Sequence, residues 1–133
     1  MKSNVRLSIL GIILSIVFVG CGASSIYNVM KSEIKQKVSK DKVFAAIKKA
    51  GYSKGWVVEK AKAGVAKAVL HYENSKAVVE IPHTSNSFSI NHVSSVNLDH
   101  NKKEGTIHPK YNKWVQKLEK AINHELKSIA NKK

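Results

Sequence analysis

The chain has 133 residues, which is room for one domain with a single modest core and excludes a second. Its formal charge is +14, from 23 Lys and Arg against 9 Asp and Glu, so any partner recognised by charge is a polyanion. One cysteine excludes an intramolecular disulfide and a cysteine-based zinc site.

Lys2 and Arg6 form a basic start, followed by an apolar run from Leu7 to Val19 broken only by Ser8, Gly11 and Ser15. A spanning helix needs roughly 20 apolar residues, and this run is shorter. It ends in Phe18-Val19-Gly20-Cys21-Gly22, which resembles the lipobox of bacterial lipoprotein precursors. Phe18 is a departure, because the family pattern usually has Leu there. The resemblance implies a signal peptide over residues 1–20, diacylglyceryl transfer to Cys21, cleavage before it, and often fatty acylation of the freed amine. Each buried methylene contributes about 0.8 kcal/mol and two chains suffice for stable attachment, so no spanning segment is required. The competing reading is an uncleaved N-terminal anchor helix. Gly22 stands where Asp often marks inner-membrane retention, so in a Gram-negative cell the expected place is the periplasmic face of the outer membrane. The 133 residues less the 20 of the leader leave 113, and loss of Lys2 and Arg6 lowers +14 to about +12.

Residues 21–39 read as the lipidated Cys and a tether. Gly22-Ala23-Ser24-Ser25 is small and flexible. Ile26, Met30, Ile34 and Val38 then recur every four residues, the period of a weak amphipathic helix with Lys31, Lys35 and Lys37 opposite. Such a helix lies on the membrane, packs on its own domain, or frays. A clearer helix spans 41–50, with Val43, Phe44, Ile47 and Ala50 on one side and Gly51 as its C-cap. Strands follow at 56–58, 65–73, 77–81 and 87–93, with turns at Ala61-Lys62-Ala63-Gly64 and Asn74-Ser75-Lys76 and a stop at Pro82. Residues 99–106 are polar and loop-like. Pro109 opens a last helix carrying Trp114, Leu118, Ile122, Leu126 and Ile129 on one face.

The expected fold class is α+β: one domain over 40–130, a four-stranded antiparallel meander with an N-terminal and a C-terminal helix packed on one face. Its core is expected at Phe44, Ile47, Leu70, Ile81, Phe88, Ile90, Trp114 and Leu118.

The domain also resembles a family of small bacterial lipoproteins of unknown function. The matching residues are Gly55-Trp56, Ala77-Val78-Val79-Glu80-Ile81-Pro82, Ser87-Phe88-Ser89-Ile90, Asn97-Leu98, Ile107-His108, Tyr111-Asn112 and Trp114. His92 departs from the family's second Tyr. The resemblance implies a fold and an envelope location, with no reaction and no ligand.

Chemistry-bearing patterns are sparse. Six histidines include His71 beside Glu73 and a pairing of His83 with His92 across a hairpin, but no tight ligand set, so neither metal nor cofactor is expected. There is no Gly-x-Ser-x-Gly elbow, no glycine-rich phosphate loop and no paired carboxylates, so a non-enzymatic protein is expected. The densest polar and aromatic group is His108, Tyr111, Asn112 and Trp114. It is either a recognition surface at a helix N-terminus or core, with Asn112 bonding a neighbouring backbone. The lysines, Lys35, Lys48 and Lys49 foremost, either contact a polyanion or merely solubilise the domain. Two functions follow. One is a membrane-anchored envelope lipoprotein that binds an envelope protein or supports an assembly. The other is a module for lipopolysaccharide, anionic lipid or anionic glycan. Nucleic acid is not an expected partner, because export removes the chain from it.

Overall fold

The computed structural model describes residues 22–131; the expected signal peptide over 1–20, the acylation site Cys21, and Lys132 and Lys133 lie outside the described residues. The chain enters as β1 (Ser24–Ser25) and β2 (Val29–Glu33), then α1 (Lys40–Ser53). A run of strands follows: β3 (Trp56–Lys62), β4 (Val65–Tyr72), β5 (Ser75–Pro82) and β6 (Ser87–Val96). It closes with β7 (Thr106–Ile107) and α2 (Pro109–Ala130). The class is α+β.

The main sheet has five strands, not four, in the order β2-β6-β5-β4-β3, all antiparallel. A separate two-stranded ladder joins β1 to β7, Ser24 opposite Ile107. The fifth strand is the segment whose four-residue period suggested a helix and a tether. Val29 pairs with Ile90 and Ser32 with Phe88, and the register shifts between them around Lys31, which takes a left-handed φ of 47°. That bulge inserts one residue, so the inward positions Val29, Ser32 and Ile34 no longer alternate strictly and their spacing imitates a helix. Val29 and Ile34 are buried, whereas Met30 is 78% exposed.

Ser39 caps α1, its side chain accepting from the Lys42 N–H at 3.3 Å, and Asp41 sits in the first turn where the helix dipole favours a negative charge. The helix runs past Gly51 to Ser53. Gly51 is therefore not the C-cap: it is buried inside the helix, where an added Cβ would collide with the Val58 side chain. The left-handed position after the helix belongs to Gly55 (φ 87°), whose N–H donates to the Tyr52 carbonyl at 3.2 Å.

β3 is longer than its apolar start, because Glu59, Lys60 and Lys62 continue the ladder with β4 while their side chains stay exposed. The turn to β4 is Ala63-Gly64, with Gly64 at φ 76°. In β6 a second bulge falls at Val93: Val79 faces His92 while Val78 faces Ser94.

One apolar cluster joins both helices to the inner sheet face: Ile47 and Val43 from α1, Trp56, Leu70, Ile81, Phe88 and Ile90 from the strands, and Tyr111, Val115, Leu118, Ile122 and Leu126 from α2. Each full burial of this kind stabilises by roughly 1.5–3 kcal/mol. Ile47, Leu70, Ile81, Phe88, Ile90 and Leu118 are core as expected, but Phe44 and Trp114 are only half-buried. The α2 stripe keeps Leu118, Ile122 and Leu126 but begins with different residues than expected. Tyr111 and Val115 point inward, and Trp114 leans to the rim over Tyr72 at 5.9 Å between ring centroids.

The strand directions give the domain two ends. One, the clasp end, gathers β1, the β4–β5 turn, residues 97–107 and the start of α2; the other gathers the β3–β4 and β5–β6 turns and the start of α1. Eight residues of β4 separate them by about 25 Å at ~3.3 Å per residue.

Candidate functional site

The group His108, Tyr111, Asn112 and Trp114 is brought to the clasp end and split by role. His108 is the N-cap of α2, its Nδ1 accepting from the Lys110 N–H at 3.1 Å. Tyr111 is fully buried, and its hydroxyl has no hydrogen-bond partner among the described residues; burial pushes that phenol far above its usual range. Trp114 lies under the Lys110 ammonium at 5.9 Å. Asn112 ties down the entering chain: its Oδ1 accepts from the Tyr27 N–H at 2.9 Å and its Nδ2 donates to the Ser25 carbonyl at 2.8 Å.

Further contacts complete this clasp. The Ile26 N–H donates to the Gly105 carbonyl at 3.0 Å, and the Tyr27 hydroxyl donates to Glu119 at 2.7 Å. That bond to Glu119, then burial, then the carboxylate's charge raise the Tyr27 phenol. The chain is thus fixed three residues after Cys21. A short run of Gly22 and Ala23 precedes a ladder, where a tether to residue 39 was expected. Nothing in the sequence between 22 and 28 marks this, because the ladder is two residues long and pairs Ser24 with Ile107 and Ser25 with Thr106, far along the chain.

Beside the clasp, three rings meet. His92 lies 4.5 Å from His100 and edge-on to Tyr111 at 5.3 Å, with its Nε2 3.2 Å from Ser95 Oγ. Burial first, and then the neighbouring His100, lower the His92 pKa. The expected approach of His83 to His92 does not occur. His83 stacks on Phe44 at the opposite end of the domain. Among the described residues no group of three or more His, Cys, Asp or Glu is arranged to hold a metal ion.

Of the lysines singled out in the sequence, Lys48 and Lys49 both border a groove between α1 and β3, and Lys35 lies apart by the second half of α2. Lys49 also reaches across the helix layer to Glu125 at 3.3 Å. A different set converges between the C-terminus of α1 and the middle of α2. Lys54, Lys117, Lys120 and His124 line a groove of about 540 Å³ there, and its one carboxylate, Glu125, is the partner of Lys49. The groove between α1 and β3, about 630 Å³, is apolar instead, with Tyr52 85% and Val57 62% exposed on its walls. It adjoins β3, an edge strand of the sheet.

No helix among the described residues is long and apolar enough to cross a membrane. No family model, curated protein or solved structure matches the chain.

Proposed function

We propose that the protein is a non-enzymatic envelope lipoprotein, anchored through acyl chains on Cys21 and holding a small binding domain end-on at the membrane surface. The observation that carries the reading is the Phe18-Val19-Gly20-Cys21 junction after a basic start and an apolar run, placed three residues before β1. Covalent reach keeps Cys21 within about 11 Å of Ser24. An acyl anchor there brings Lys102 and Lys103, in the loop between the clasp hydrogen bonds, and Lys110 at the start of α2 close to the head groups. Each such cation contributes about 1 kcal/mol at an anionic surface and nothing beyond a Debye length. Metabolic labelling with a fatty-acid analogue tests the reading. The wild type takes the label and Cys21→Ala does not, with the mutant accumulating at precursor size; equal labelling of both refutes it.

A second reading, polyanion binding by the domain itself, is favoured by one observation. Lys54, Lys117 and Lys120 line one groove together with His124 and a single carboxylate. The apolar wall of Tyr52 and Val57 suits a protein partner instead. Binding of the purified protein to an anionic polymer at two salt concentrations separates them. A polyanion site weakens steeply with salt, and an apolar contact does not.

A further inference from the structure

The end of the domain farthest from β1 carries a concave surface bordered by three lysines and three hydroxyls. Its centre is His83, 6% exposed, which stacks on Phe44 and shares a hydrogen bond of 3.0 Å between Nδ1 and the Ile81 carbonyl. A carbonyl only accepts, so Nδ1 carries the hydrogen, and Nε2, which has no protein partner among the described residues, presents an acceptor lone pair in the neutral ring that suits a ligand hydroxyl. Two adjoining hollows, about 100 and 350 Å³, share His83 and Gly64 as a common wall.

The smaller hollow is bordered by Lys40 and Lys60 and opens at the first turn of α1, the positive end of that helix; Asp41 is its one carboxylate. Gly64 closes it from below, and a Cβ there would press on the Lys40 ammonium at 3.2 Å. The larger hollow is bordered by Lys31, Thr84, Ser87 and Ser89 and has no carboxylate. Thr84 Oγ1 already accepts from the N–H groups of Asn86 and Ser87, at 3.0 and 3.1 Å, and Ser89 Oγ accepts from the Lys31 N–H at 3.0 Å. Thr84 has only its hydrogen left to offer, whereas Ser89 keeps its hydrogen and one lone pair. The last of these bonds also fixes the left-handed Lys31, so the bulge in β2 that hid the strand from the sequence positions the third cation.

Lys31, Lys40 and Lys60 with one carboxylate at the margin select an oxyanion, and the hydroxyls and the imidazole acceptor beside these cations select a hydroxylated carrier for it. We propose that this surface binds the carboxylate or phosphate groups of an anionic glycan. It deepens the polyanion reading above and gives it a site. On the acyl-anchor reading the site faces away from the bilayer, about 25 Å from the clasp, so the protein would link its membrane to an anionic polymer lying beyond it.

The test is a titration of the full chain, held in micelles with neutral head groups, against oligogalacturonate, inorganic phosphate and anionic lipid vesicles in separate arms. The His83 ring and Gly64 amide resonances report the site. The expected result is saturable movement of both signals with oligogalacturonate, with phosphate, or with each. Lys31→Gln, Lys40→Gln and Lys60→Gln should each weaken binding about five-fold, which is ~1 kcal/mol per cation. Lys76→Gln, an equal loss of charge at the β4–β5 turn on the opposite end of the domain, should leave it unchanged. Stationary His83 and Gly64 signals with both oxyanions, equal weakening by Lys76→Gln, or a response to vesicles alone would overturn the proposal. None of these outcomes depends on acylation of Cys21, so the anchor reading and the site stand or fall separately.

Discussion

Asn112, in the first turn of α2, holds Tyr27 from 85 residues earlier: its Oδ1 accepts the Tyr27 N–H at 2.9 Å while its amide donates to the Ser25 carbonyl at 2.8 Å. One side chain thus satisfies both backbone polarities of the segment that follows Cys21. Asn112→Ala leaves a donor and an acceptor without partners and should destabilise the domain by about 1–3 kcal/mol. Hydrogen exchange should accelerate at residues 24–27 and remain slow in α1; uniform acceleration would place Asn112 in the global core instead.

Gly51 is required by packing rather than by backbone angle. Alanine is a better helix former by roughly 0.5–1 kcal/mol, yet its Cβ collides with the Val58 side chain, and overpacking costs about 1–3 kcal/mol. Gly51→Ala should therefore lower the unfolding midpoint, and Val58→Ala in the same chain should recover part of the loss. A stabilised Gly51→Ala would show that α1 stands farther from β3.

Tyr111 is buried with a hydroxyl that has no hydrogen-bond partner among the described residues. Tyr111→Phe should be neutral or stabilising, by up to about 1–3 kcal/mol, because it removes an unsatisfied polar group. Burial raises the phenol pKa in the folded state above the ordinary 10, so above that pH the unfolded chain releases a proton that the folded one keeps. Stability contributed by Tyr111 is full below pH 10 and is lost as pH rises beyond it. Alkaline absorbance titration should show the Tyr111 phenolate only on unfolding.

His92 works in the other direction on the pH scale. Its pKa is lowered from 6.5, first by burial and then by His100, so the unfolded chain binds the proton more readily. Its contribution is present above pH 6.5 and is lost as pH falls through the lowered folded value. Chemical denaturation between pH 7 and pH 5 should show this loss in the wild type and a flatter profile in His92→Gln.

Legibility of the sequence followed the regularity of each element. α2 was readable from Pro109 and from the spacing of Leu118, Ile122 and Leu126, and β4 to β6 from alternation between clear turns. Which large rings are central was not. Trp56 is buried at the first position of β3, while Trp114 sits at the rim, because Tyr111 and Val115 fix the rotation of α2. β2 was missed because the bulge at Lys31 destroys the period of two, and β1 because two paired residues leave no pattern. Sites assembled from turns distant in sequence, such as Lys31, Lys40, Lys60 and His83, have no linear motif.

The anchor itself is tested most directly by the intact mass of the protein recovered from the membranes of cells that make it. The account predicts a chain beginning at Cys21, with residues 21–133 plus a diacylglyceryl group, with or without an added amide-linked fatty acid. A mass equal to residues 1–133 without lipid, or a mature chain in which Cys21 keeps a free thiol, would contradict it.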